Sequence, residues 1–367
     1  MNIALLSPNE NQYSETFIQN HKDNLSGNVI FYFGGFVAEN NNKEGKLKLP
    51  FFKAALHELR GKFIENKFSR REIALMKSFE KNKINVVVAE FGITGASVIN
   101  VCKALGLPLI TIFHGYDASV RYVINENLKA YKELFNYVFK IIAVSNTIKE
   151  KLENIGCDVN KIIVTPCGPD NTFYDLIPKF DNLQLVACGR FVDKKAPYYT
   201  ILAFNKVVEQ IPDAKLKIVG DGFLFNMCEN LIKHLQIENN VELVGKTTPE
   251  ELKKIMINSS AFVQHSIEAK SGDSEGTPVA ILEASLLGLP VISTKHSGIK
   301  DVVKDKITGF LVDEHDVDLM AHYMIKILKN KDLTKKMGKD GKQFILNNFS
   351  QNHHIGILNS VIKNSIK

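Results

Sequence analysis

No apolar run in this 367-residue chain approaches the roughly 20 residues a helix needs to cross a bilayer. Its start, Met1-Asn-Ile-Ala-Leu-Leu-Ser-Pro, carries no charged segment ahead of a short apolar stretch, so it reads as a first strand in a cytoplasmic protein. Cysteine is scarce: the five, Cys102, Cys157, Cys167, Cys188 and Cys228, are odd in number and never spaced Cys-x-x-Cys. Neither a disulfide framework nor a zinc site is therefore expected, and the thiols read as reduced and mostly structural. There is no repeat of fixed period and no low-complexity tract. Gly220 and Gly222 are too few for a dinucleotide fingerprint, and no acidic residue about 20 positions later ends an apolar strand, so a nicotinamide cofactor is not expected. The only Asp-x-Asp is Asp316-Val-Asp318, in a polar segment leading into a helical pattern, where Asp serves as a cap or first-turn residue and not as a metal ligand.

What is present points to an α/β protein. The length exceeds what one hydrophobic core usually serves, so two domains are expected. Short apolar runs alternate with helical patterns. The predicted strands are Ile3–Leu6, Val29–Phe33, Val86–Ala89, Leu109–Phe113, Ile141–Val144 and Ile162–Val164, then Leu185–Ala187, Leu216–Val219, Val241–Val244, Phe262–Gln264, Val291–Ser293 and Phe310–Val312. Near-continuous apolar character fits strands covered on both faces of parallel sheets, and two such series imply two doubly wound, Rossmann-like units. The break falls in the Pro- and Gly-rich stretch Pro166–Asn182.

The segment Ser271-Gly-Asp-Ser-Glu275-Gly-Thr-Pro-Val-Ala-Ile-Leu-Glu283-Ala-Ser-Leu-Leu-Gly-Leu-Pro290 places two carboxylates eight residues apart around a helix start. Thr277 suits the N-cap, Pro278 the first helical position, and Gly288 and Pro290 the stop, predicting a helix over 278–287. Backbone N–H groups of Gly276, Thr277 and the first turn lack intrahelical partners, so an anion, typically a phosphate, is expected there. Taken alone, two glutamates at this spacing are more often solvated surface groups. Context argues otherwise. In open α/β sheets ligands bind outside the carboxyl ends of the strands, and the other candidates sit at such ends. Arg190 follows the strand Leu185–Ala187, and Lys195 lies just ahead of Pro197, a good first residue for the next helix. Cations converging with helix N-termini suit a diphosphate. His114 ends the strand Leu109–Phe113, while Asp117 and Ser119 read as local turn residues.

The stretch from Glu275 to Glu283 resembles the signature of the retaining nucleotide-sugar glycosyltransferases of family 4. Gly189-Arg190-Phe-Val-Asp-Lys-Lys195-Ala196 is similar to that family's Gly-Arg-Leu-x-x-x-Lys-Gly element, with Ala196 where Gly is usual. Ile218-Val-Gly220-Asp-Gly222 resembles its Gly-x-Gly turn, and Val241-Glu-Leu-Val244-Gly245 the strand whose end meets the nucleotide base. His114-Gly-Tyr-Asp, Ala143-Val-Ser145 and Thr165-Pro-Cys-Gly168-Pro-Asp170 resemble further landmarks in the same order. The likeness covers most of residues 85 to 315. At the N-terminus Ser7-Pro-Asn-Glu-Asn-Gln-Tyr replaces the glycine pair many members carry, whereas Ser14-Glu15-Thr16-Phe17 resembles exopolysaccharide-assembly members of the colanic-acid type.

The resemblance implies the GT-B fold, with two Rossmann-like domains facing a cleft. Residues 1–168 would bind acceptor, 169–349 the nucleotide sugar, and a helix over about 350–367 would pack back onto the first domain. It implies catalytic roles for His114, Glu275, Arg190 and Lys195, with His114 facing the donor sugar and the departing phosphate. Donor binding falls to Gly189, Arg190, Lys195, Gly220, Gly222, Val244, Gly245, Glu275, Gly276, Thr277, Pro278 and Glu283. Glu275 would accept hydrogen bonds from sugar hydroxyls and Glu283 from ribose hydroxyls, which an ionised carboxylate does well. Arg190, Lys195 and amide dipoles would offset the leaving diphosphate, so neither a metal nor any cofactor beyond the nucleotide diphosphate sugar substrate is expected.

The expected activity is therefore that of a retaining hexosyltransferase. It would move a sugar from a nucleotide diphosphate to a hydroxyl of a glycan or lipid-linked glycan in bacterial surface polysaccharide biosynthesis. A GT-B phosphorylase or sugar-nucleotide epimerase, and a non-catalytic nucleotide-sugar-binding assembly protein, are the alternatives, since fold does not fix function. From Lys43 to Lys83 twelve Lys or Arg stand against five Glu, interleaved with Phe and Leu. This reads either as a solvated helix face or as a surface for anionic lipid at the inner face of the plasma membrane. No recognition motif accompanies the charge, so nucleic acid is not an expected partner.

Overall fold

The structure, a computed structural model, describes residues 1–10, 15–47 and 68–366. Ser14 and, from the basic stretch, Lys48, Lys53, Arg60 and Lys62 lie outside the described residues. The chain forms two compact units, one comprising Met1–Val144, Ile148–Thr165 and Ile355–Lys367, the other Ser145–Thr147 and Pro166–His354. Among the described residues no helix is long and apolar enough to cross a membrane.

In the first unit, strands β1 (Asn2–Leu6), β2 (Asn28–Phe33), β3 (Asn40–Asn41), β4 (Gly45–Lys46), β5 (Val86–Glu90), β6 (Leu109–Phe113), β7 (Lys140–Ala143) and β8 (Ile162–Val164) form one sheet. Its order is β4-β3-β2-β1-β5-β6-β7-β8. From β2 to β8 neighbours run parallel, and β5 and β6 are buried at every position because crossover helices cover both faces. The short pair β3 and β4 adds an antiparallel edge that apolar patterning does not reveal. Polar bonding holds it instead: the Glu44 carboxylate accepts from Ser78 Oγ at 2.6 Å, Asn82 Nδ2 at 2.6 Å and Lys81 Nζ at 2.6 Å. The helix Gln351–Ser365 contributes its span from Ile355 onward to this unit, and the Ser26 N–H donates to Asn359 Oδ1 at 2.8 Å.

The second unit is an all-parallel sheet of β9 (Gln184–Cys188), β10 (Lys215–Val219), β11 (Val241–Gly245), β12 (Ala261–Gln264), β13 (Val291–Thr294) and β14 (Gly309–Val312) in the order β11-β10-β9-β12-β13-β14. Alternate strand residues feed two cores: Leu185, Leu216 and Val263 pack on one face, Val186, Val219 and Phe262 on the other. Strand order reverses between β9 and β12, which opens a crevice at their carboxyl ends. The helix after the glutamate loop spans Val279–Leu287, one residue shorter at its start than the spacing predicts. Pro278, with φ −66° and ψ 113°, takes the cap position expected of Thr277, and no side chain caps this end. The residue before a proline is held extended, which keeps Thr277 in the loop.

Asp117 does more than close a local turn. Its buried carboxylate accepts from the N–H groups of Gly92 at 2.7 Å, His114 at 3.0 Å and Gly115 at 3.1 Å, tying the loop after β5 to the loop after β6. Asn at this position presents an amide NH2 in place of one carboxylate oxygen, leaving at least one buried N–H opposed by a donor. Asp117→Asn is expected to cost about 1–3 kcal/mol of stability, measured by urea unfolding. Unchanged unfolding would show that the carboxylate does not hold these loops.

Candidate active site

The chain leaves β9 at Cys188, passes Gly189 and Arg190, makes a single turn over Asp193–Lys195 and enters the helix Pro197–Gln210. Ala196, fully buried where the related motif has Gly, links turn to helix in the left-handed region at φ 36°. This turn brings Lys195 back over the strand end. Its Nζ lies 3.2 Å from Glu275 Oε1 and donates to Gln264 Oε1, at the end of β12, at 3.3 Å. The loop after β10 closes the other side. A Cβ at Gly220, whose φ is +134°, would lie 2.0 Å from the Gly189 carbonyl oxygen, so only glycine lets these two backbones touch. The Gly220 N–H donates to the Gly245 carbonyl at 2.9 Å, which sets Val244 and Gly245 beside the same turn. A depression at the point where strand order reverses is lined by Cys188, Gly189, Arg190, Lys195, Thr200 and Gln264.

The electrostatics are those of lysines gathered around a buried carboxylate. Glu275 is only 5% exposed. Burial alone would raise its carboxyl, but Lys195 and Lys194 outweigh burial and keep it below the ordinary carboxylate value. Burial, seconded by Lys194, pulls the Lys195 ammonium down against the pull of Glu275. Lys194, not singled out by the sequence, is buried and donates to Asp273 Oδ1 at 2.9 Å and to the Ser274 carbonyl at 3.3 Å. Arg190 is exposed, and among the described residues its guanidinium meets no acidic partner. Three cations thus face two carboxylates. Glu275 Oε1, despite its ion pair, has no hydrogen-bond donor in good geometry among the described residues. A buried lone pair left open in this way is costly unless an incoming group fills it.

Glu283 sits differently. It is half-buried in the second turn of its helix, and burial, with the Asp170 charge adding, pushes its carboxyl up to about 8 even though the Asp170 N–H and Lys253 oppose the shift. Gly276, Thr277 and Pro278 form the loop between the two glutamates and do not belong to the helix. Asp316 caps the helix Val317–Lys329 by accepting from the Leu319 N–H at 2.9 Å, the use the sequence suggests, and Asp318 sits in its first turn and pairs with Lys206 at 2.8 Å.

In the first unit His114 belongs to a buried assembly. Its Nε2 lies 2.7 Å from Glu90 Oε2, and His21 Nδ1 lies 2.5 Å from Glu90 Oε1. Burial alone would raise the Glu90 carboxyl, but the two histidines bring it down to about 2. An ionised carboxylate only accepts, so both ring nitrogens that face it are donors. Phe17 stacks on the His114 ring with centroids 4.3 Å apart. Glu90 and His21 escape the sequence reading because nothing in their spacing links residues 21, 90 and 114; Glu90 ends β5, His114 follows β6, and His21 comes from the helix Thr16–Asn24. Gln264, Lys194, His296 and Ser297 escape it for the same reason.

Comparison with known proteins agrees with this architecture. The Glycosyl transferases group 1 family model matches residues 176–344, and the Glycosyltransferase Family 4 model matches residues 48–173. The putative colanic acid biosynthesis glycosyltransferase WcaL of Escherichia coli is 32% identical over 245 residues, 65% of this chain and 60% of that protein. The amylovoran biosynthesis glycosyltransferase AmsK of Erwinia amylovora is 30% identical over 248 residues, 66% of this chain and 61% of that protein. The chain thus spans about three fifths of the length of these relatives. The crystal structure of Anabaena HepE in complex with UDP superposes with a TM-score of 0.79 at 16% identity, covering 100% of this chain and 99% of that one. The chain thus has the GT-B fold, and its two halves match, in order, the two glycosyltransferase domain models.

Proposed function

We propose that this protein is a retaining hexosyltransferase that takes its sugar from a nucleotide diphosphate and gives it to a hydroxyl of a glycan or lipid-linked glycan in exopolysaccharide biosynthesis. The observation that supports this best is the buried Glu275 Oε1, open to a hydroxyl donor and set beside Lys195 at the crevice of the second unit. Sugar hydroxyls are the donors this oxygen would take. Arg190, Lys195 and the N–H groups of Gly276 and Thr277 would take the diphosphate. In the reaction the bond from the anomeric carbon to the diphosphate oxygen breaks, and the bond to the acceptor oxygen forms on the same face. The acceptor proton passes to the departing diphosphate. The cations are most useful as charge builds on that leaving group, which is where electrostatic stabilisation lowers a barrier, and they make a divalent metal unnecessary in this reading. His114, oriented by Glu90, would serve the donor sugar and the departing phosphate.

Glu275→Ala is expected to lower kcat about a hundredfold with nucleoside diphosphate affinity little changed, because misplaced hydroxyls cost rate more than binding. Near-full activity on the true substrates would remove this loop from the active site. Arg190→Ala is expected to cost about 2–4 kcal/mol of transition-state stabilisation and to weaken a nucleoside diphosphate far more than a nucleoside. Transfer should survive a chelator, and loss restored by magnesium would contradict the metal-free reading.

Glu283 offers a test by pH. Its carboxyl lies near 8 in the folded, ligand-free protein and far lower once unfolded, so the folded state binds the extra proton between those values. Stability from this group is full in acid and is lost as pH rises through about 8. In thermal unfolding, wild type should lose ground to Glu283→Gln as pH goes from about 5 to about 8.5. Parallel curves would place this carboxylate in solvent.

The basic stretch Lys43–Lys83 supports a peripheral location on anionic lipid, where a lipid-linked acceptor is concentrated. Vesicle co-sedimentation should then need anionic lipid and decline with salt, whereas equal sedimentation with neutral vesicles would favour a soluble acceptor.

A further inference from the structure

The Glu275 carboxylate is useful only if its backbone is held, and two neighbouring residues on the loop after β13 hold it from both sides. The Glu275 N–H donates to His296 Nε2 at 3.1 Å, and the Ser297 hydroxyl donates to the Glu275 carbonyl. His296 Nδ1 lies 2.6 Å from Glu314 Oε1, and Glu314 Oε2 accepts the Glu268 N–H at 3.0 Å. The chain of bonds admits one proton arrangement. Glu314 accepts at both oxygens, so His296 Nδ1 carries the hydrogen, and Nε2 is left as the acceptor that the Glu275 amide needs. His296 is 4% exposed, so water does not substitute for either bond.

Two further observations mark this contact as built. Ser297 sits at φ 42°, a conformation a side-chain-bearing residue adopts at a cost, and costs of that kind persist where surrounding bonds enforce them. A Cβ at Gly298 would fall 1.8 Å from the Gly276 carbonyl oxygen, so the loops carrying Glu275 and His296 lie backbone against backbone. Lys194 fixes the preceding residues through Asp273 and the Ser274 carbonyl. The backbone that carries Glu275 is thereby held at residues 273, 274, 275 and 276.

We infer that His296, kept in one tautomer by Glu314, is a positioning residue that sets the Glu275 loop for sugar transfer. The inference rests on the reading of Glu275 given above. It separates two properties that ordinary packing would not: an acceptor at the Nε2 position is required, whereas the donor at Nδ1 matters only through the tautomer it enforces.

Two substitutions divide those properties. His296→Gln puts a carbonyl oxygen near the place of Nε2 and keeps an acceptor for the Glu275 amide. His296→Asn puts an amide nitrogen near the place of Nδ1, keeps the bond to Glu314 and loses the acceptor. Each is assayed by release of nucleoside diphosphate from the nucleotide sugar that wild type turns over fastest, by affinity for that nucleoside diphosphate, and by deuterium exchange of the peptide containing Glu275. The expected result is a kcat about tenfold or more below wild type for His296→Asn, with affinity within about twofold and faster exchange at Glu275, while His296→Gln stays within about threefold of wild type on all three. Equal losses in both variants would reduce His296 to packing, and wild-type kcat with wild-type exchange in His296→Asn would remove its role. Glu275→Ala, run alongside, tells the two ideas apart. If it retains kcat, the reading of Glu275 fails, and the exchange result alone then decides whether His296 holds the loop.

Discussion

A largely buried lysine–glutamate pair, Lys195 and Glu275, stands 3.2 Å apart at the point where the second sheet reverses its strand order. Such a pair adds little to stability, since desolvation of both charges offsets most of their attraction. What it does is place charge where water is scarce and electrostatic forces are strong. The surrounding structure follows from that constraint. Gly189 and Gly220 let two loops close over the strand ends, Lys194 adds a second cation and fixes the preceding residues, and the loop after β13 holds the Glu275 backbone at both its N–H and its carbonyl. One oxygen of the buried carboxylate is short of a donor and the nearby Arg190 is without an acidic partner among the described residues, and the proposed sugar diphosphate would supply a hydroxyl to the first and an anion to the second.

The first unit solves the opposite problem by the same architecture. Its strand order also reverses, at β1 and β5, and the residue that ends β5 is a fully buried glutamate shared by two histidines. Where the second unit gathers cations around a carboxylate and leaves a surplus of positive charge, the first uses a carboxylate to fix which ring nitrogen of His114 carries the hydrogen. Asp117 then locks the backbone of His114 itself.

The strands were readable because a parallel strand covered on both faces has to be apolar along its length, as Val86-Val-Val-Ala and Leu109-Ile-Thr-Ile-Phe are. The pair β3 and β4 was not readable, because Asn40-Asn41 and Gly45-Lys46 owe their pairing to the Glu44 carboxylate and the helix it bonds, at positions more than thirty residues away in Ser78, Lys81 and Asn82. The glutamate loop was visible through its helix-start chemistry, although Pro278 caps the helix where Thr277 was expected to. Lys195 and Glu275, eighty positions apart, come together at adjacent strand ends as candidates of one site should. The supporting residues were invisible: His296, Ser297, Glu314, Glu90 and His21 carry no local signature, since each acts through a bond to a residue brought near only by the sheet.

In the proposed function the crevice at β9 and β12 takes a nucleoside diphosphate through the turn Gly189–Ala196 and the loop Asp273–Pro278. Deuterium exchange of the wild-type protein, with and without a saturating nucleoside diphosphate, measures this directly. Slowed exchange is expected, concentrated in peptides from those two segments and from the Gly220–Gly222 turn. Protection confined to other parts of the chain, or bound ligand with no change in these three segments, would contradict it.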